Sequence, residues 1–364
     1  MSADPPIPGR QAGQDASPRL PHSQRIAAVD TFRLLAVFAV ICLHTRPFGR
    51  ADDPSPLYRW LDVAIEAGGS FAVPFFFVAA GYFFQRSIRG GLPAREVLLR
   101  YSRRLGVVFL AWTLIYAVVP ADLSMLRQSG LWRTILQQNQ AHLRQPAELL
   151  LRGTAAPLWF LVSLEIGLVL MAVTYPRLGW KVLFFAAPLY LLYCWRLAWP
   201  LYRTGSGAAF TATNGPLISP AFVAIGFCLA SGDSRPRRSV AVCVLACGFA
   251  LALAGEAAAS FRPALLPLHM GARAVSGIAF GPGVMLLALA LLDLGQGTIL
   301  PALGRLTLGV YASHFMIMQF VGPLGRPRIG GMLWDILYPF LVLGLALGLS
   351  ACLARFSLTR RIVV

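Results

Sequence analysis

The sequence predicts an all-α polytopic membrane protein, with about ten transmembrane helices in one bundle and both termini cytoplasmic. Three observations lead there. Of 364 residues, 57% are hydrophobic and only 13% are charged, against about 25% charged in an ordinary soluble domain. The apolar residues gather into runs of roughly 20, the length that crosses a bilayer core of about 30 Å. The cations, 32 Lys and Arg against 15 Asp and Glu for a net charge of +17, punctuate the ends of those runs. A nucleic-acid binder would interleave its basic residues with a soluble fold, so no nucleic acid is expected as a partner.

Residues 1–24 contain Pro5, Pro6, Pro8, Pro18 and Pro21 and no apolar run. They read as a disordered cytoplasmic tail, because a signal peptide places its apolar region near the start. Residues 25–356 form the membrane domain, and 357–364 a short basic cytoplasmic tail. Spans are expected at 27–47, 67–85, 105–120, 157–175, 182–200, 214–231, 239–257, 271–293, 303–322 and 332–353. Orientation follows from Lys and Arg near the span ends. Arg86, Arg89, Arg95, Arg100, Arg103 and Arg104 follow the second span, and Arg235, Arg237 and Arg238 the sixth. Arg177, Lys181, Arg355, Arg360 and Arg361 fall on the same side, which is therefore cytoplasmic. Arg127, Arg133, Arg144 and Arg152 dissent from the outer loop 121–156, but a long loop weakens the rule.

The six cysteines lie in or beside apolar runs without CxxC or Cys/His spacing. They read as small hydrophobes, and no metal is expected. P-loop, GxGxxG, HExxH and GxSxG patterns do not occur.

Ionisable residues inside spans are costly and mark candidate sites. The first span carries Asp30, Arg33 and His44. Arg33 and His44, eleven residues apart, share a helix face to within about 20° and sit about 16 Å apart along the axis. Asp30 is placed at i, i+3 to pair with Arg33. A cation at one end of a face and an imidazole at the other match an extended phosphopantetheine arm, with phosphates at one end and a thioester at the other. The structural alternative has Arg33 snorkelling to the interface and His44 capping the helix end.

Glu165 lies near the middle of the fourth span, below Trp159 and Ser163. It either makes an interhelical hydrogen bond or orients a catalytic group. The ninth span carries His314 one turn after Tyr311, as a packed pair or a functional one. Arg100, Arg103 and Arg104 open the third span. They fix topology, clamp phosphate with their guanidinium groups, or do both.

Together these pieces resemble the acyltransferase-3 family of integral membrane acyltransferases. The segment 28-AVDTFRLLAVFAVICLHT-45 is similar to the family's first helix, with Arg33 and His44 matching its R-X10-H pattern. The run 72-AVPFFFVAAGYFF-84 resembles VPxFFxxSGYxF, with Ala79 and Ala80 where a Ser is usual. Arg100, Arg103 and Arg104 resemble the R-x-x-R stretch, while 158-LWFL-161 and 308-LGVYASH-314 match two later landmarks. The nearest likeness is to the enterobacterial-common-antigen O-acetyltransferase type.

The resemblance implies transfer of acetyl from cytoplasmic acetyl-CoA, the acyl-donor co-substrate, to a hydroxyl of an envelope carbohydrate or glycolipid. It implies a multi-pass protein in contact with the lipid of the bacterial inner membrane. His44 would be the catalytic base or an acyl relay, with Arg33 and Glu165 beside it as catalytic candidates. Arg100, Arg103, Arg104 and Asp30 would form the acetyl-CoA end of the site. Trp159, Tyr311 and His314 are the acceptor or oxyanion candidates. The rival reading is a proton-coupled transporter or flippase of a small or lipid-linked solute, using Asp30, Arg33, Glu165 and His314 as its path. A ligand-binding membrane sensor is a third. Acceptor identity, acyl length and oligomeric state are open at this level.

Overall fold

The computed structural model describes residues 25–49, 55–120, 123–194, 215, 217–232, 235–262, 266–329 and 331–364; the tail 1–24 lies outside the described residues. Those residues are all-helical, with no strand among them. The helices are α1 (Ala27–Thr45), α2 (Pro56–Gly69), α3 (Ala72–Arg89), α4 (Ala94–Val118), α5 (Leu123–Ser129), α6 (Leu131–Leu143), α7 (Pro146–Arg152), α8 (Trp159–Leu178) and α9 (Leu183–Leu192). They continue as α10 (Ser219–Ser231), α11 (Arg238–Phe261), α12 (Leu266–Ala290), α13 (Leu300–Gly304), α14 (Thr307–Ile329), α15 (Gly331–Leu353) and α16 (Ser357–Arg360).

Six helical stretches among the described residues are long and apolar enough to cross a membrane: Ala27–Thr45, Pro56–Arg89, Ala156–Leu192, Arg238–Phe261, Gly271–Ala290 and Gly331–Leu353. The expected class stands, but fewer stretches qualify than the ten expected, for local reasons. The arginines opening α4 dilute the third expected span. The fifth is helical only to Leu192 in α9, and 195–200 lie outside the described residues. The sixth, α10, is 13 residues long. The ninth is divided between α13 and α14.

The second qualifying stretch is longer than expected because α2 precedes α3. Ser55 caps α2 by accepting from the Tyr58 N–H, with Pro56 at the first helical position, where its missing N–H costs nothing.

Helix α1 packs against α2, α3, α12, α13, α14 and α15, which explains why Val29, Ala36, Val37 and Ile41 are wholly buried. In lipid, helices associate through close van der Waals packing and small residues rather than the hydrophobic effect. The α3–α10 pair shows this reciprocally: a Cβ on Gly81 would strike the Val223 carbonyl, and one on Gly226 the Val78 carbonyl. Likewise Gly304 at the end of α13 lets that helix lie directly on the Asp30 carbonyl of α1.

The long expected loop 121–156 contains α5, α6 and α7, and α6 closes the end of α4. Gln138 Nε2 donates to the Tyr116, Ala117 and Val119 carbonyls at 3.1–3.2 Å, and Asn139 Nδ2 to Ala117 at 2.8 Å. These are the carbonyls that a helix end leaves without intrahelical partners. The expected basic tail folds back between α4 and α14: Trp112 Nε1 donates to the Ile362 carbonyl at 3.0 Å, and Val363 is fully buried.

Candidate active site

The two ends of α1 carry different chemistry. Near its start, Arg33 Nη1 donates to Asp30 Oδ1 at 2.8 Å, with the Asp30 side chain 9% exposed. The Arg33 guanidinium also lies over the Phe83 ring of α3, 5.1 Å from its centroid, a cation–π contact. Helix α4 adds Tyr101, whose ring is 5.4 Å from that of Phe84, and Arg104. Arg33, Tyr101 and Arg104 are close enough to act on one another electrostatically. The structure thus joins Asp30 to Arg33 and places Arg104, itself exposed, near enough to feel the Arg33 charge. Arg100 instead pairs along its own helix with Glu96, half exposed, and Arg103 is exposed.

At the other end, His44 occupies the last turn of α1. Arg46 then adopts a left-handed conformation (φ 42°), its N–H returning to the Cys42 carbonyl. Its guanidinium meets Asp62 at 3.2 Å and Glu66 at 3.7 Å. Arg273 pairs with Glu66 at 3.9 Å and Glu256 at 3.2 Å. This network ties the end of α1 to α2, α11 and α12, and so holds His44 in place.

The ring of His44 lies 5.3 Å from that of His314 and 6.1 Å from Phe315, both on α14. His314 is completely buried. Its Nδ1 is 2.5 Å from the Tyr311 carbonyl, and the Tyr311 hydroxyl donates to the Pro157 carbonyl at 2.7 Å. The hydroxyl of Tyr116 on α4 donates to the Ala312 carbonyl at 2.8 Å and accepts from the Met316 N–H at 3.1 Å. An unbroken helix pairs those two backbone groups directly. Tyr116 therefore inserts into the ladder of the turn that holds His314, a side-chain insertion of the kind that bends helices.

Trp159, at the start of α8, packs on Phe77 and Phe160, and Phe160 reaches the Tyr311 ring at 5.3 Å. Trp159, Tyr311 and His314 are thus linked at the His44 end. Glu165 accepts from Ser102, which stands between Tyr101 and Arg104 on α4, and its second oxygen is buried without a hydrogen-bond partner among the described residues.

On the same side as the α4 terminus, a cavity of about 230 Å³ is lined by His142, Gln145, Glu148, Arg152, Thr154 and Ala156. It adjoins Pro157, the carbonyl that holds Tyr311.

Sequence reasoning missed Tyr116, Phe83 and Tyr101. Tyr101 carries a signal, standing one turn before Arg104 within the arginine stretch that opens the third expected span. Tyr116 and Phe83 sit in apolar runs that offer none.

A family model described as an acyltransferase domain, Acyl_transf_3, matches residues 26–355. No curated protein and no solved structure matches the chain. The family match spans α1 to α15 and includes both ends of the site: the chain belongs to the acyltransferase-3 family and is a membrane acyltransferase.

Proposed function

We propose that this protein transfers acetyl from cytoplasmic acetyl-CoA to a hydroxyl of an envelope carbohydrate or glycolipid, as a ten-span protein of a bacterial inner membrane with both termini inside. The observation that carries the reading is the division of labour along α1. Arg33, joined by Arg104, stands at one end, and His44, joined by His314, about 16 Å away at the other. Guanidinium groups bind phosphate well, so the Arg33 end suits the phosphates of the co-substrate, with Arg100 and Arg103 at its mouth. Asp30 keeps Arg33 aimed.

The pantetheine arm then lies along α1 and delivers the thioester to His44. His44 takes the proton of the acceptor hydroxyl as its oxygen attacks the thioester carbon. The C–S bond breaks, and the departing thiolate receives the proton from His44. General-base assistance of this kind contributes about 10²–10⁴-fold. The cavity beside Pro157 supports approach of a hydroxylated acceptor from the His44 end, because its polar lining suits a sugar.

The test is transfer of label from radioactive acetyl-CoA in membranes carrying the protein. His44→Ala is expected to abolish transfer while expression and topology persist. Transfer by that variant at the wild-type rate would dismiss His44 as the base.

A further inference from the structure

The fold treats the two nitrogens of His314 differently. Nδ1 faces the Tyr311 carbonyl at 2.5 Å. A carbonyl oxygen only accepts, so Nδ1 carries the proton, and in the neutral ring Nε2 is a bare lone pair. Nε2 is buried with no hydrogen-bond partner among the described residues. Buried polar atoms are nearly always partnered, so an orphan requires an explanation. This one is also held deliberately. Tyr116 bridges the backbone on both sides of His314, and Tyr311 is anchored to Pro157.

The neighbouring imidazole is His44, with centroids 5.3 Å apart and planes inclined at 37°. Two imidazoles sharing an N–H···N bond of about 2.9 Å, each nitrogen about 1.15 Å from its ring centre, need about 5.2 Å between centres. The separation matches that distance, although His314 Nε2 makes no hydrogen bond in the structure, so the proposed bond requires the two nitrogens to be brought face to face. Depth decides which ring serves the other. His314 is wholly buried, whereas His44 is partly accessible, so His314 stands behind His44 as seen by a substrate.

We propose that His314 is a positioning residue: its Nε2 accepts a ring N–H of His44, fixing the His44 tautomer and leaving the opposite nitrogen bare to act as base. This rests on the reading of His44 given above. When His44 takes the hydroxyl proton it becomes a cation, and the His314 lone pair faces the N–H that it holds. His314 keeps its own Nδ1 proton throughout, and the proton on His44 leaves with the thiolate. For His314 this replaces donation to an oxyanion, since an accepting Nε2 donates to nothing.

The experiment uses the full chain in lipid nanodiscs, labelled with ¹⁵N-histidine, as wild type, His314→Leu and His314→Gln. Glutamine keeps an accepting oxygen, whereas leucine keeps none. In the wild type, His314 is expected protonated at Nδ1 and His44 in a single tautomer. His314→Leu should mix the His44 tautomers and lower kcat about 10²–10³-fold, with the KM for acetyl-CoA within about threefold. His314→Gln should restore the single tautomer and at least about tenfold of the lost kcat.

Wild-type His314 protonated at Nε2 overturns the proposal whatever the variants do. So does a His44 tautomer unchanged in His314→Leu, or equal kcat in the leucine and glutamine variants. An active His44→Ala would instead sink the reading of His44 as base, while the tautomer spectra would still judge the contact between the two rings.

Discussion

The Arg33 and His44 ends of α1 are opposites. The first is charged and partly open: Arg33 keeps 30% of its side-chain surface, balances Asp30, and has a second arginine close by on α4. The second is packed behind its leading ring, with His314 wholly buried and the hydroxyls of Tyr116 and Tyr311 committed to backbone, its charges balanced in the Arg46 and Arg273 ion pairs around the end of α1. Charges near water interact weakly and tolerate displacement, whereas dipoles in a dry site act strongly and must be placed accurately. One helix thus joins a binding end to a reacting end. Damage at the first should appear in KM, and damage at the second in kcat.

Substitutions can break that contrast, and the largest effect is expected from His44→Ala, a fall in kcat of about 10³-fold or more in a labelled-acetyl assay. Next comes Tyr116→Phe, which removes one hydroxyl from the turn holding His314. A misplacement of about 1 Å can cost about 10²-fold, so kcat is expected to fall about 10- to 100-fold with KM for acetyl-CoA unchanged in steady-state kinetics. Arg104→Ala should do the converse, raising that KM about tenfold with kcat nearly intact, since a hydrogen bond to a charged group is worth about 1.5–3 kcal/mol. Gly304→Ala pushes a methyl into the Asp30 carbonyl and should destabilise the bundle by about 1–3 kcal/mol, read as a lower thermal midpoint in detergent. The smallest effect belongs to Arg103→Ala: Arg103 and Arg104 are both exposed, but it is Arg104 that acts electrostatically on Arg33 and Tyr101, and KM in Arg103→Ala should change less than about threefold.

Much of this contrast was legible in the sequence, because a bilayer forces every span into a helix. A regular helix converts the spacing of Arg33 and His44 directly into a shared face and a distance. The Asp30–Arg33 pair is likewise local, at i, i+3. The partners of these residues were not legible. His314 and Tyr116 reach the His44 end only because α14 and α4 converge there, and neither periodicity nor composition encodes which helices meet. The interhelical partner of Glu165 proved to be Ser102, a residue without any charge signal. Helix α2 escaped the reading because it leaves Leu57 and Trp60 exposed and buries only Val63, Ala67 and Gly69. Fewer described stretches qualify by length and hydropathy than the ten expected where polar residues or short length interrupt apolar runs, in α4, α10 and α14.

The central claim, that donor phosphates are held at one end of α1 while the acyl group reacts at the other, is tested most directly by truncating the donor. S-acetylpantetheine keeps the thioester and arm but lacks every phosphate. Measured as kcat/KM, the wild type should prefer acetyl-CoA strongly. Arg104→Ala should lose about tenfold of that preference, because it no longer meets a phosphate, whereas Tyr116→Phe should slow both donors equally and leave the preference intact. An unchanged preference in Arg104→Ala, or a preference lost in Tyr116→Phe, would contradict the division of α1 into a binding end and a reacting end.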